Sequence, residues 1–234
     1  MSLGPGAPLG RHVQRVLQAA WDSAPSVHRT EAAGDVAFLA HRATTGLLVA
    51  TVAAADPARP AADVLAAAHE LAVAEALGGG PEPVDPFDLE LGEGPVVEVA
   101  EGERETWGGQ RSVVRAFLPA WTAASDHDLM AWPGIGDGAE AVMGLLAPGP
   151  LEAEARQVAV ASFHRTGFRA AAVSALAVRA SAALPHRGLV REVTLRFGHP
   201  HAVVAVALDP AGGAWHGVPV FSAWVGEATE VDGD

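Results

Sequence analysis

Ser125-Asp126-His127-Asp128 gathers every side-chain type of a hydrolytic triad into one short stretch. Triad members must converge in space, and neighbours on one turn point in different directions. No Gly-x-Ser-x-Gly elbow occurs elsewhere in the chain. Ser125 therefore reads as a helix N-cap, with Asp126 and Asp128 where negative charge suits the helix dipole. Gly134-Ile135-Gly136-Asp137-Gly138 resembles a phosphate cradle, but a dinucleotide turn must follow a strand. A Met-Ala-Trp-Pro segment precedes it, so it reads as an inter-helix turn. Among the 10 His residues no pair has the i, i+4 spacing with an intervening Glu that a helical zinc site uses. His199-Pro200-His201 comes closest, and no acidic or third His ligand lies near it, so surface or strand-end histidines are expected. Glu90/Glu93 and Glu101/Glu103/Glu105 lie in polar stretches and read as solvated charge rather than a glycosidase pair.

Missing residue types exclude further chemistry. There is no Cys, hence no disulfide, thiol nucleophile or Cys-ligated metal. There is no Lys either, since all 15 basic residues are Arg, which excludes Schiff bases, the phosphate-loop lysine and a Ser–Lys dyad. Tyr and Asn are absent and Ile occurs once, at Ile135, a pattern read as coding bias. The net charge is -13 with no basic cluster, so no nucleic-acid partner is expected. The longest apolar run, Gly46 to Ala55, is far short of a bilayer span, so no membrane partner is expected. Met1 to Leu9 lacks a basic-then-apolar signal pattern, so the expectation is a cytoplasmic protein, with the lack of Cys neutral on secretion.

The 234 residues suffice for a single domain with a sizeable core. Residues 1–10 read as a flexible tail, and His12 to Trp21 has the spacing of a short helix. Gly34 to Ala40 and Thr44 to Ala55 read as strands, and Asp63 to Leu77 as an amphipathic helix ended by Gly78-Gly79-Gly80-Pro81. Residues 81–94 form an acidic, Pro-rich loop. Val96 to Glu101 and Val113 to Trp121 alternate as strands around a polar turn, Arg104 to Gln110. Short helices are expected at Leu129 to Trp132 and Ala139 to Leu146. Strands are expected at Glu154 to His164, Val190 to Arg196, Ala202 to Leu208 and Val218 to Val225.

The most informative segment is Thr166-Gly167-Phe168-Arg169-Ala170-Ala171-Ala172-Val173-Ser174-Ala175. It follows an alternating strand and resembles the hinge of a serpin reactive-centre loop, roughly Glu-Gly-Thr-Glu-Ala-Ala-Ala-Ala-Thr in that family. The flanks agree in order. Leu118-Pro119-Ala120-Trp121 before Ser125 to Leu129 is similar to the family's Leu-Pro-x-Phe strand and following helix. Pro133-Gly134-Ile135-Gly136-Asp137 resembles its Leu-Gly-Ile-x-Asp turn. Phe197-Gly198-His199-Pro200-His201 resembles its Phe-x-x-Pro-Phe strand, and Gly217 to Val225 its final Pro-Leu-Phe-x-Gly-x-Val strand. The resemblance spans about residues 112–226, and Leu47 to Leu77 matches a strand–strand–helix segment more faintly.

That resemblance implies an α+β fold, mixed and largely antiparallel, similar to the C-terminal part of the serpin fold. It implies a candidate reactive-centre loop over residues 167–188, with a hinge of Gly167, Phe168, Arg169, Ala170, Ala171, Ala172, Val173 and Ser174. The candidate scissile bonds are Ser181-Ala182, suiting a protease that accepts small residues, and Arg187-Gly188, suiting a trypsin-like one. The implied partner is a serine protease. The chain itself would supply no catalytic residue, metal or cofactor.

The residues fit an insertable strand, in which side chains alternate with period two. One row carries Phe168, Ala170, Ala172, Ser174, Leu176, Val178 and Ala180. The other carries Arg169, Ala171, Val173, Ala175, Ala177, Arg179 and Ser181, so both arginines share a face. An Ala-rich buried helix explains the same composition. Phe168 at a small-residue position, and Arg165 and Arg169 where the family carries acidic residues, leave open a non-inhibitory or degenerate serpin-like binding protein. An unrelated hydrolase with a dispersed Ser, His and Asp is a further alternative.

Overall fold

The structure is a computed structural model that describes residues 16–17, 24–43, 46–106, 112–119, 121–146, 156–163 and 186–226. The expected tail at residues 1–10 lies outside them. The twelve strands are β1 Val16–Leu17, β2 Ser26–Thr30, β3 Gly34–Ala43, β4 Leu47–Ala54, β5 Gly92–Glu93, β6 Val97–Thr106, β7 Ser112–Pro119, β8 Trp121–Asp128, β9 Arg156–Phe163, β10 His186–Arg196, β11 His201–Ala207 and β12 Pro219–Val225. Two α-helices, α1 Ala61–Ala76 and α2 Ile135–Leu146, and a 3-10 turn at Pro86–Asp88 complete the described elements. The fold is α+β. The chain divides into two compact units, Met1–Trp121 with Phe163–Asp234, and Thr122–Ser162.

The larger unit contains two five-stranded sheets. The first has the order β12-β11-β4-β3-β2, and each neighbouring pair is antiparallel. Val36, Phe38, Ala40, Leu48, Ala50, Val52, Ala202, Val204 and Val206 line one face. Helix α1 covers it with Val64, Ala67, Ala68, Leu71, Ala72 and Ala76. Small side chains on both layers let helix and sheet approach closely, and the apolar area removed from water stabilises the contact. The opposite face is buried too, through Ala37, Leu39, Thr51, Ala53, His201, Val203 and Ala205. Helix α1 starts after Pro60, whose fixed φ suits a helix entry, and carries Asp63 in its first turn. It stops at Gly78, which adopts φ 72° while Gly79 N–H returns to the Ala74 carbonyl at 2.9 Å.

The second sheet has the order β1-β7-β10-β6-β5. The β10–β7 pair is parallel, and the other pairs are antiparallel. Its buried row contains Val99, Val193 and Leu195. The smaller unit holds α2 and the two-stranded sheet β8-β9.

Several sequence expectations need correction. Val16–Leu17 is a strand paired with Pro119 and Leu118, not part of a helix: pairing to β7 overrides the helical spacing. Ser125 is not an N-cap, because β8 continues to Asp128 with β9 as its partner. The chain turns there instead, with the Asp128 carboxylate accepting the Met130 N–H at 2.9 Å. The expected helix at Leu129 to Trp132 is that turn. Gly134, at φ 83°, therefore lies between a strand and α2, not between two helices. Helix α2 begins at Ile135, earlier than the expected Ala139. Glu101, Glu103 and Glu105 stand on β6 rather than in a loop, because β10 pairs with β6 along its whole length.

Candidate functional site

The hinge residues Gly167 to Ser174 and the bond Ser181-Ala182 lie outside the described residues. What the structure describes is where the chain enters and leaves. The segment 164–185 follows β9, in the two-stranded sheet, and precedes β10, a central strand of the second sheet. Its C-terminal anchor begins with His186 opposite Thr106, Arg187 opposite Glu105 and Gly188 opposite Arg104. Arg187 and Gly188 thus belong to a paired strand, although both are exposed. From Arg191 onward β10 gains a second neighbour, β7, through Arg191 opposite Ser112. Among the described residues, β10 pairs with β6 from His186 and with β7 as well from Arg191.

Charge pairs reinforce that anchor. Arg191 points to the same face as Val193 and Leu195, at the open end of the apolar row. One guanidinium nitrogen (Nη2) reaches the Glu101 carboxylate at 3.2 Å and the Phe87 carbonyl at 3.5 Å. The guanidinium carbon sits 5.1 Å from the centre of the Phe87 ring, a cation–π contact. Phe87 is held in turn by a 3-10 turn in which the Asp85 side chain accepts the Phe87 N–H at 2.8 Å. The loop 81–94 is tied down at Val84, whose N–H reaches the Val27 carbonyl at 2.8 Å. On the other face Arg104 meets Glu192 at 2.8 Å, and Arg196 meets Glu98. Solvated charge was the expectation for Glu101, and the cross-strand partner Arg191 shows the missed signal: Arg and Glu at matching positions of two alternating strands.

Beyond the anchor the chain turns through Phe197-Gly198-His199-Pro200-His201. Phe197 is fully buried, and its N–H reaches the Phe117 carbonyl at 3.0 Å. His199 is buried at the turn, which holds its imidazole below the usual value. His201 opens β11 with no exposure. Its Nδ1 carries the proton and donates to the His199 carbonyl at 3.0 Å, and its ring meets that of Phe197 edge-on at 6.0 Å. Burial pushes its imidazole down to about 4. The expectation of surface or strand-end histidines is corrected in part: His201 does open β11, but both rings are buried, because the turn folds them back against the apolar interior. The period-two spacing Phe197, His199, His201 ahead of an apolar run was the available signal. On β2, burial likewise lowers the His28 imidazole, opposed by the Pro81 backbone and the Glu75 charge.

Among the described residues no group of three or more His, Asp or Glu is placed to hold a metal ion. No described helix is long and apolar enough to cross a membrane.

No protein-family model matches the chain, and no curated protein matches it. Among solved structures it is similar to the serine protease inhibitor serpin-12 of Manduca sexta, with a TM-score of 0.34 and 12% identity. The alignment covers 91% of this chain and 47% of that one, so the chain spans about half the length of that structure. At that score the likeness carries no part of the argument, and the α+β assignment stands on the chain's own helices and sheets.

Proposed function

We propose that the chain presents residues 167–188 as bait to a serine protease, in the manner of a serpin-like inhibitor, and is not itself a catalyst. The observation that carries this reading is the sequence of the bait: an Ala-rich hinge with period-two alternation, flanked in order by four further serpin-like motifs. The paired and ion-paired β10 supports it as a firm C-terminal anchor. The protease serine Oγ would attack the carbonyl of the residue before the scissile bond, forming an acyl ester and releasing the amine of the next residue. Insertion of the freed hinge as a strand would then distort the trapped ester. Ser181-Ala182 is the favoured bond, because Arg187 and Gly188 would have to peel from β6 before a protease could bind them extended.

A second reading, a serpin-like binding protein that is cleaved without trapping, draws on Phe168. A bulky side chain at a hinge position slows insertion into a close-packed sheet. The two readings part on one gel. Incubation with proteases that accept small residues should give a covalent adduct, with the chain cut at Ser181-Ala182. Cleavage there without an adduct supports the second reading, and no cleavage within 167–188 contradicts both.

A further inference from the structure

We propose that His201 is an acid latch: a proton placed on its Nε2 forces the ring out of the interior and opens the connection between β10 and β11.

His201 stands at the first position of β11, which lies between β12 and β4 in the first sheet. Val225 is its register partner on β12. Ala53 of β4 and Val203 of β11 are its buried neighbours on the same face, and Phe197 supplies a ring edge. Nδ1–H already has an acceptor in the His199 carbonyl, while the buried Nε2 has no hydrogen-bond partner among the described residues. The neutral ring therefore suits the site, its Nε2 left as an unpaired acceptor. The protonated ring does not, because it adds a donor and a full charge where no acceptor stands. Desolvation is the dominant influence on this ring, and no charged side chain from β4, β12 or the β10–β11 turn offsets it. The other titratable group in the turn is His199, itself buried, with desolvation lowering its imidazole below the usual value.

The direction of the effect follows from linkage. The unfolded chain takes up this proton near 6.5, and the folded chain holds it off to about 4. Stability is fully present above 6.5 and falls as the pH drops from there to about 4. Across that window one proton lowers the folded-to-unfolded ratio by up to about tenfold per pH unit. His28 and His199 act in the same direction, so the site must be separated by variant and by location. The inference is independent of whether residues 167–188 serve as bait.

The test is urea unfolding of the full chain from pH 7.5 to 4, wild type against His201→Phe, with hydrogen exchange corrected for intrinsic rates. The expected result is a pH slope shallower by about one proton in His201→Phe. In the wild type, exchange should rise first at the β11 amides as the pH falls. An unchanged slope, or exchange rising first in β2 around His28, overturns the proposal. If His201→Phe does not fold, the His201 ring protons followed by NMR in the wild type decide the matter. Titration near pH 4 together with loss of β11 protection supports the latch, and titration near 6.5 with β11 intact overturns it.

Discussion

The two five-stranded sheets solve the same problem with different chemistry. In the first, Ala and Val fill both faces, and α1 lies against one of them with four alanines in its buried stripe. In the second, the apolar row of β10 and β6 ends in the Arg191–Glu101 pair, and the opposite face carries the Arg196–Glu98 and Arg104–Glu192 pairs. Dense apolar packing is intolerant of volume change, whereas paired charge at a sheet's margin tolerates hydration. The bait segment proposed above leads into the second kind of sheet. A strand held partly by ion pairs is a firm anchor whose early residues Arg187, Gly188 and Leu189 are exposed yet paired with β6.

The first way to break this comparison is volume. Leu48 is fully buried between sheet and helix, and Leu48→Ala should cost about 2–5 kcal/mol of stability. Chemical unfolding measures it, and a loss below about 1 kcal/mol would mean that this face is not packed as described. The converse change is smaller. Ala68→Leu pushes three heavy atoms into the helix–sheet contact and should cost about 1–3 kcal/mol, with the melting temperature as readout. A stabilised variant would reveal unused space there.

Charge gives the smallest effects. Arg191→Met keeps the stem but removes the pair, leaving a Glu101 side chain that is already 25% exposed and able to hydrate. The expected loss is about 1–2 kcal/mol, between the values for exposed and buried pairs. It should shrink in Glu101→Gln/Arg191→Met if the pair itself carries the energy, and a double-mutant cycle reads this directly. Asp35→Asn breaks the exposed Arg29 pair and should leave the melting temperature unchanged.

Much of this contrast was legible in the sequence. The α1 stripe and the apolar runs of β3, β4 and β11 follow from periodicity, while the α+β class was implied by the family resemblance. The failures have a common cause, which is pairing between distant segments. Val16–Leu17 has helical spacing and yet pairs with β7, and Ser125 has the look of a cap while β9 keeps it in a strand. Glu101 looks solvated until β10 brings Arg191 opposite it. The hinge reading rests on the family resemblance and its flanking motifs, and Gly167 to Ser174 lie outside the described residues.

The proposal at stake is that residues 167–188 serve as bait, with the favoured bond ahead of the paired run of β10. Its most direct test is a time course of limited digestion of the folded chain by several serine proteases, with every early cut mapped by mass. The account predicts that the first cuts fall between residues 176 and 185, foremost at Ser181-Ala182, while residues 81–94 stay intact because Val84 and Asp85 pin that loop. First cuts within 81–94, with residues 167–185 protected, would contradict it and return the Ala-rich segment to a buried helix.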